Sequence, residues 1–240
     1  MSGNGSGSGT DNIFGTSMNF GDLTPPNLMQ YFQAHTDHIR EVALAQTQLL
    51  VLVMGITAIT GIGIGLLVWR RTMAAEFATN LFAAILTIPS LAMLTFMIGP
   101  FGLGWVPTVI SLWLYAQLPV IRNTIAGMRS VDPAVMESAR AMGMGPWRVL
   151  LRIQFPLAWP VIIAGLRVSS MMIFGISAIA AYVGGPGFGD LMFSGLAELG
   201  AFNSMNETLI GAFGITLLAL TFDALFVILR RLTTSRGVRV

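Results

Sequence analysis

The chain has 240 residues, of which 54% are hydrophobic and only 10% are charged, and its mean hydropathy is +0.74. Soluble domains carry about 25% charged residues, so the composition excludes an ordinary water-soluble protein and indicates one membrane domain with a tail. The net charge is +2. Cysteine is absent, which excludes disulfides and thiolate metal sites. Lysine is absent as well, which excludes a Walker A phosphate loop because that motif needs a lysine.

The first segment, residues 1–26, is rich in Gly and Ser and has no apolar period, which predicts a flexible tail. Residues 27–43 follow two prolines and place apolar residues at roughly helical spacing, so we expect an interfacial elbow helix. His35 and His38 are three residues apart without a third or fourth ligand nearby, and we expect no metal there.

Five long apolar stretches follow within a membrane domain at 44–232, and a tail at 233–240 completes the chain. Each stretch exceeds the roughly 20 residues that span a bilayer core of about 30 Å, and each must be helical because lipid cannot satisfy an open backbone. The predicted spans are 44–68, 77–98, 104–125, 156–183 and 207–229. In the first span we assign Gly61, Gly63 and Gly65 to close helix packing, not to a nucleotide site.

The arginines are distributed unevenly between the two sides of these spans. They cluster after span one, between spans three and four, and after span five, whereas the opposite side carries mostly acidic residues and Arg40. The positive-inside rule then predicts that the N-terminus lies outside and the C-terminus in the cytoplasm. No basic surface interleaved with aromatic residues is visible, so we expect no nucleic-acid binding.

The loop 129–156 between spans three and four carries strong helix signals. Asp132 is a good N-cap, Pro133 suits the first helical position, and Gly143 favours the end of a helix of about ten residues. A second short helix is predicted from Trp147 to Gln154, leading to Pro156. A compact helix held between two spans suits docking into a partner and passing on its motion.

The same loop resembles a known family. Glu137-Ser138-Ala139, Gly143 four positions later, nine residues and then Ile153-Gln154-Phe155-Pro156 are similar to the EAA loop of ATP-binding-cassette (ABC) importer permeases, with Ser138 and Phe155 as departures. The resemblance covers roughly residues 38–232 and is nearest to the osmoprotectant branch. Three further strings support that branch: Thr87-Ile88-Pro89-Ser90-Leu91-Ala92, Leu118-Pro119-Val120-Ile121-Arg122-Asn123-Thr124 and Gly184-Gly185-Pro186-Gly187-Phe188-Gly189-Asp190-Leu191.

This resemblance implies an all-α membrane protein: a five-helix type I ABC importer permease with a cytoplasmic coupling helix, in the bacterial cytoplasmic membrane. It implies no catalysis and no cofactor in this chain. The implied partners are a second permease chain, identical or paralogous, two cytoplasmic ATPase subunits, an extracytoplasmic solute-binding protein and membrane lipid. The residues implied at the ATPase contact are Glu137, Ser138, Ala139, Gly143, Ile153 and Pro156.

The implied cargo is glycine betaine, carnitine, choline or proline betaine. The methionine branch has a similar layout, so a methionine or other amino-acid importer remains an alternative, and an ATP-independent channel is a third reading. An intramembrane enzyme would need facing ionisable groups, and only Arg167 and Asp223 are available at membrane depth. These two either form a gate or subunit contact, or are interfacial residues.

Other residues are candidates for the pathway or its gate. Pro89 and Pro119, and also Pro107, interrupt predicted spans, and they either line a pore or mark ordinary kinks. The loop Gly184–Asp190 is predicted to be flexible and extracytoplasmic, and it either touches the binding protein, gates the outer mouth or is a tight turn. The pathway candidates are Pro89, Pro119, Asn123, Gly185, Gly187 and Asp190. Four aromatic residues either belong to an interfacial belt or hold a quaternary ammonium: Trp105, Trp113, Tyr115 and Tyr182.

Overall fold

The computed structural model describes residues 25–198 and 204–233, and all regular elements in these ranges are helical. Most of both predicted tails, residues 1–24 and 234–240, lies outside the described residues. The helices are α1 (Pro25–Ala34), α2 (Thr36–Val68), α3 (Thr72–Thr87), α4 (Ser90–Phe101), α5 (Trp105–Arg129), α6 (Pro133–Ala141), α7 (Pro146–Val149), α8 (Phe155–Ile179), α9 (Phe188–Ala197) and α10 (Ser204–Thr233).

Helix α5 is the centre of the bundle. It packs against α2, α3, α4 and α8, and its Leu112, Ala116, Val120 and Ile121 are fully buried. Its buried surface also includes polar side chains such as Gln117. A helix that is covered by protein on most sides does not need the apolar surface that lipid requires, which explains its modest hydropathy.

Three helical segments in the described ranges are long and apolar enough to cross a membrane: Thr36–Val68, Pro146–Val183 and Ser204–Thr233. The pair α3 and α4 adds a fourth if its two bent halves form one span. Helix α5 has 25 residues, or about 37 Å, which is enough length for a fifth span although its composition is less apolar.

The second predicted span, 77–98, is not one straight helix. Helices α3 and α4 meet at a 95° bend, where Ile88 and Pro89 are extended. Proline lacks an N–H and disfavours a helical conformation in the residue before it, so the chain breaks here. The freed carbonyl of Ile88 accepts a hydrogen bond from the hydroxyl of Tyr115. The predicted interruption at Pro89 is thus confirmed, whereas Pro119 lies inside α5 and ends no helix.

The predicted boundary at Pro156 is wrong. The chain is helical without a break from Pro146 to Val183, and the part before α8 contains a π-turn over Leu150–Gln154. Within this turn the amide of Phe155 donates to the carbonyl of Leu150, five residues back. A widened turn accommodates a proline, whose ring would clash with the carbonyl four residues earlier in a regular helix.

The predicted elbow corresponds to α1 and the first residues of α2. Tyr31 in α1 donates a hydrogen bond of 3.0 Å to Glu207 Oε1 in α10, and the ring of His35 stacks on Tyr31 with centroids 4.1 Å apart. Burial, this hydrogen bond and the charge of Glu207 raise the pKa of Tyr31 to about 12. Tyr31 therefore remains a neutral donor at physiological pH, and it ties α1 to α10.

Glycines allow the close approach of α2 and α8 to α5. A Cβ on Gly65 would lie 2.5 Å from Thr124 Cβ, and a Cβ on Gly165 would lie 2.8 Å from the carbonyl oxygen of Pro119. The predicted packing role is confirmed for Gly61 and Gly65, whereas Gly63 has no atom within 4 Å and takes no part in it.

We expect Gly165→Ala to lower the thermal stability of the detergent-solubilised protein, because its methyl group would meet a backbone carbonyl that cannot move aside. Overpacking costs about 1–3 kcal/mol, which corresponds to several degrees in Tm for a chain of this size. Gly175→Ala in the same helix is the matched control, since that position has no atom within 4 Å. Equal melting temperatures for the two variants would contradict the close α5–α8 contact.

Candidate functional site: the α5–α8 loop and the polar groups of the spans

The loop between α5 and α8 contains α6, whose start agrees with the sequence. Asp132 Oδ1 accepts a hydrogen bond of 2.8 Å from the amide of Ala134, and Pro133 is the first helical residue. The helix ends at Ala141, one residue before the predicted end. Gly143 follows with φ of +80°, a left-handed conformation in which a side chain is unfavourable. This confirms the predicted cap and the predicted role of Gly143 in ending the helix.

The six loop residues expected at a partner contact do not share one exposed surface. Glu137, Ser138 and Gly143 are exposed, whereas Ala139 is only 1% exposed and is buried by its own chain. Ile153 is half-buried in the π-turn, and Pro156 is exposed in the first turn of α8. Ala139 therefore stabilises the loop internally, and of the six only Glu137 and Ser138 are exposed on α6 itself.

Two long side chains tie this loop to the spans. Gln154, which is buried, donates a hydrogen bond of 2.9 Å from Nε2 to the carbonyl of Met128 near the end of α5. Arg129 Nε donates at 2.9 Å to the carbonyl of Trp69 at the end of α2. The two ends of the loop are thus connected to α2, α5 and α8. Sequence analysis predicted neither contact.

The loop after α8 is held by contacts that contradict its predicted flexibility. The side chain of Gln46 in α2 is fully buried, donates to Ser177 Oγ at 2.7 Å and accepts from the amide of Phe188 at 3.2 Å. Gly187 has φ of +134°, and a Cβ there would lie 1.7 Å from Gln46 Oε1. The available signal was a pair of amide side chains, Gln46 and Gln48, at the start of a long apolar stretch, which sequence analysis overlooked.

The pathway candidates form two separate groups. Pro119 and Asn123 lie where α5 contacts α8, and Asn123 Nδ2 donates at 2.8 Å to the carbonyl of Pro119. Gly185 contacts Thr108, which is fifteen residues, or about 22 Å of helix, from Asn123. Gly185 and Gly187 are buried, Asp190 is exposed in the first turn of α9, and Pro89 is exposed at the α3–α4 bend. The six candidates therefore do not adjoin one another, and their assignment to a pathway stays a prediction.

Arg167 in α8 and Asp223 in α10, which the sequence left as separate groups, form an ion pair. Arg167 Nε bonds Asp223 Oδ1, and Nη2 bonds Oδ2 at 2.8 Å. Planar guanidinium and carboxylate groups match each other in such a two-bond arrangement. The pair balances two charges at membrane depth and fixes α10 against α8, although the side chains remain 39% and 23% exposed.

The four candidate aromatic residues do not form a cage. Trp113 Nε1 donates to Thr60 Oγ1 at 3.0 Å, and the hydroxyl of Tyr115 bonds the carbonyl of Ile88. Tyr182 is exposed and its ring lies 4.3 Å from that of Phe193, while Trp105 is exposed at the start of α5. Trp113 and Tyr115 thus serve helix packing.

Comparison with known proteins assigns the chain to a family. Residues 50–235 match the family described as "Binding-protein-dependent transport system inner membrane component". The chain belongs to this family. The resemblance to ABC-importer permeases inferred from the EAA-like loop is therefore confirmed.

Several members of this family are similar over most of the chain. The carnitine transport permease protein OpuCB of Listeria monocytogenes is 36% identical, covering 73% of this chain and 78% of its own length. The choline transport system permease protein OpuBD of Bacillus subtilis is 41% identical, covering 72% of this chain and 76% of its own length. The osmoprotectant import permease protein OsmW of Salmonella typhimurium is 32% identical, covering 88% of this chain and 99% of its own length.

Solved structures show the same fold. A chain of the MetNI methionine ABC transporter in an inward-facing conformation has a TM-score of 0.71 at 15% identity, covering 88% of this chain and 100% of that one. A chain of an amino acid ABC transporter, whose structure was solved with histidines, has a TM-score of 0.68 at 20% identity. The match covers 85% of this chain and 97% of that one. The all-helical fold of an ABC importer permease is therefore shown.

We expect Asp223→Ala to lower the amount of folded protein in the membrane more than the double change Arg167→Ala with Asp223→Ala. The single change leaves an unpaired guanidinium at membrane depth, whereas the double change removes both charges. Fluorescence-detected size-exclusion chromatography of tagged variants measures the folded fraction. If the double variant were the less abundant, the pair would not act by charge balance.

Proposed function

We propose that this chain is the transmembrane permease subunit of an ATP-driven ABC importer for small quaternary ammonium osmoprotectants, such as glycine betaine, carnitine, choline or proline betaine. The observation that carries the proposal is α6, a capped helix whose supporting loop is tied to α2, α5 and α8 by Arg129 and Gln154. Such a loop suits the transfer of motion from an ATPase, which is the role implied by membership of this family.

The names of the relatives favour this cargo. The relatives described above at 32–41% identity are named for carnitine, choline or osmoprotectant transport. The methionine and amino-acid transporters share the fold at 15–20% identity, a level that supports architecture but not cargo. An osmoprotectant is therefore favoured over methionine, and alternating access applies to both.

The proposed arrangement has five spans in the bacterial cytoplasmic membrane, with the N-terminus outside and the C-terminus inside. Helix α5 supplies one span and the bent pair α3–α4 another. Five helices are too few to enclose a hydrated pathway, so a second permease chain completes it. Two separate ATPase subunits hydrolyse ATP, and a solute-binding protein delivers cargo from outside.

In this arrangement the exposed face of α6 contacts an ATPase subunit through Glu137, Ser138 and the turn at Gly143. Closure of the ATPases displaces α6. The hydrogen bonds of Gln154 and Arg129 pass this displacement to α5 and α2, while the continuous helix from Pro146 passes it to α8. The helices then reorient as nearly rigid bodies because their packing at the glycine contacts leaves little space for local adjustment.

The coupling role predicts that Glu137→Arg abolishes most uptake while folded protein in the membrane stays at the normal level. Glu137 is exposed, so reversing its charge affects a partner contact and not the chain's own packing. Glu198→Arg, also exposed but placed on the extracytoplasmic side in this arrangement, is the control and should transport normally. Normal uptake by Glu137→Arg would overturn the assigned contact.

The cargo class is tested by uptake of radiolabelled glycine betaine in cells that carry the whole system, with and without this chain. We expect uptake to be lost without the chain and to be inhibited by unlabelled choline, carnitine or proline betaine but not by methionine. Unchanged betaine uptake with reduced methionine uptake would leave the coupling mechanism in place and overturn the cargo.

A further inference from the structure

Two large apolar side chains are exposed on α7 and the π-turn that follows it. Trp147 is 74% exposed, and Leu151, four residues later and therefore on the same side of the helix, is 63% exposed. Val149 lies between them, about 200° around the helix, and is only 2% exposed. The burial of Val149 therefore turns the face formed by Trp147 and Leu151 away from the rest of this chain.

The length of the helix places this face beyond the bilayer. The helix continues without a break from Pro146 to Val183, and between Ile153 and Val183 its only charged residue is Arg167. That stretch is about 46 Å long, or about 44 Å across the membrane at a tilt of about 20°. A bilayer with its headgroups is about 40–45 Å thick, so this stretch fills it. Leu151 lies at its edge, and Trp147 lies about 9 Å beyond it, in water.

The residues beside this face are cationic. Arg148 follows Trp147, Arg152 follows Leu151, and both arginines are exposed. Large apolar side chains that are exposed to water mark sites of protein interaction, and guanidinium groups bind carboxylates. The combination fits a protein surface that has an apolar pocket with acidic residues at its border.

The same partner that contacts α6 can reach this face. Only residues 142–145 separate α6 from α7, and the two helices are in contact. Leu150 packs in one cluster with Met128, and Gln154 bonds the carbonyl of Met128, so this part of the loop is fixed to the end of α5. In the proposed arrangement, an ATPase subunit on the exposed side of α6 therefore lies within one short turn of Trp147.

We propose that Trp147 and Leu151 insert into an apolar pocket of the ATPase subunit and supply most of the affinity that holds it to this chain, whereas α6 passes on its motion. The inference rests on the proposed function and deepens it, because it separates attachment from coupling. Tryptophan is enriched among the few residues that dominate the affinity of protein interfaces, since its large ring loses much water-exposed surface on binding. Attachment at Trp147 acts directly on the end of the unbroken helix that contains α8.

The test measures the dissociation constant between the assembled permease subunits and the purified ATPase subunit of the same transporter. Biolayer interferometry is carried out with the permease in detergent and in nanodiscs with and without phosphatidylglycerol. We expect Trp147→Ala to raise the Kd about 30-fold in all three, which corresponds to about 2 kcal/mol. Trp147→Phe should retain most of the affinity, because its ring still fills part of the pocket.

Two further variants separate attachment from coupling. Leu151→Ala should raise the Kd about tenfold and provides an independent measurement on the same face. Glu137→Arg should change the Kd no more than about threefold although it abolishes uptake, because an exposed charge contributes little to affinity. An effect of Glu137→Arg on the Kd as large as that of Trp147→Ala would contradict the separation of the two roles.

Trp105→Ala is the matched control, since Trp105 is also exposed but lies at the start of α5, and it should leave the Kd unchanged. An unchanged Kd for Trp147→Ala and Leu151→Ala would overturn the inference. A loss confined to nanodiscs with phosphatidylglycerol would assign the face to lipid headgroups and overturn it as well. Failure of the unmodified permease to bind the ATPase subunit would instead overturn the proposed function, and the inference with it.

Discussion

The close packing of α2 and α8 onto α5 determines where every other part of the molecule can lie. Gly65 and Gly165 remove the side chains that would separate these helices, and the positions where a Cβ would stand lie within 3 Å of Thr124, Asn123 and Pro119. Because α5 is surrounded by protein on several faces, it can carry Gln117 and Thr124 at a depth where lipid would penalise them. A polar central helix is thus possible only because the glycines bring its neighbours close.

Under the proposed function, this packing also explains how the α5–α8 loop acts on the whole bundle. Helix α6 touches little of the spans directly, but its base is connected through Gln154 to α5 and through Arg129 to α2. Helix α8 continues into the loop without a hinge at Pro156, because the π-turn accommodates the proline. A flexible break at that point would absorb the displacement. An unbroken helix transmits it to the level of Arg167 and, through the ion pair, to α10.

Local signals predicted much of this architecture, and contacts distant in sequence account for what was missed. Asp132 and Pro89 act through their own backbone neighbours, so the cap of α6 and the break before α4 could be predicted. Gln46 acts through Ser177, 131 residues away, and no local pattern shows such a partner. The predicted break at Pro156 failed for a different reason. A proline removes one hydrogen bond, but whether the helix then stops or widens depends on tertiary packing.

The ion pair at membrane depth joins the last long helix to the rest of the bundle. Arg167 in α8 and Asp223 in α10 neutralise each other and connect the two helices through two bonds. Because an unpaired charge at this depth is costly, the pair favours one fixed position of α10 against α8. Under the proposed function, a movement of α8 therefore carries α10 with it, and the two helices move as one unit.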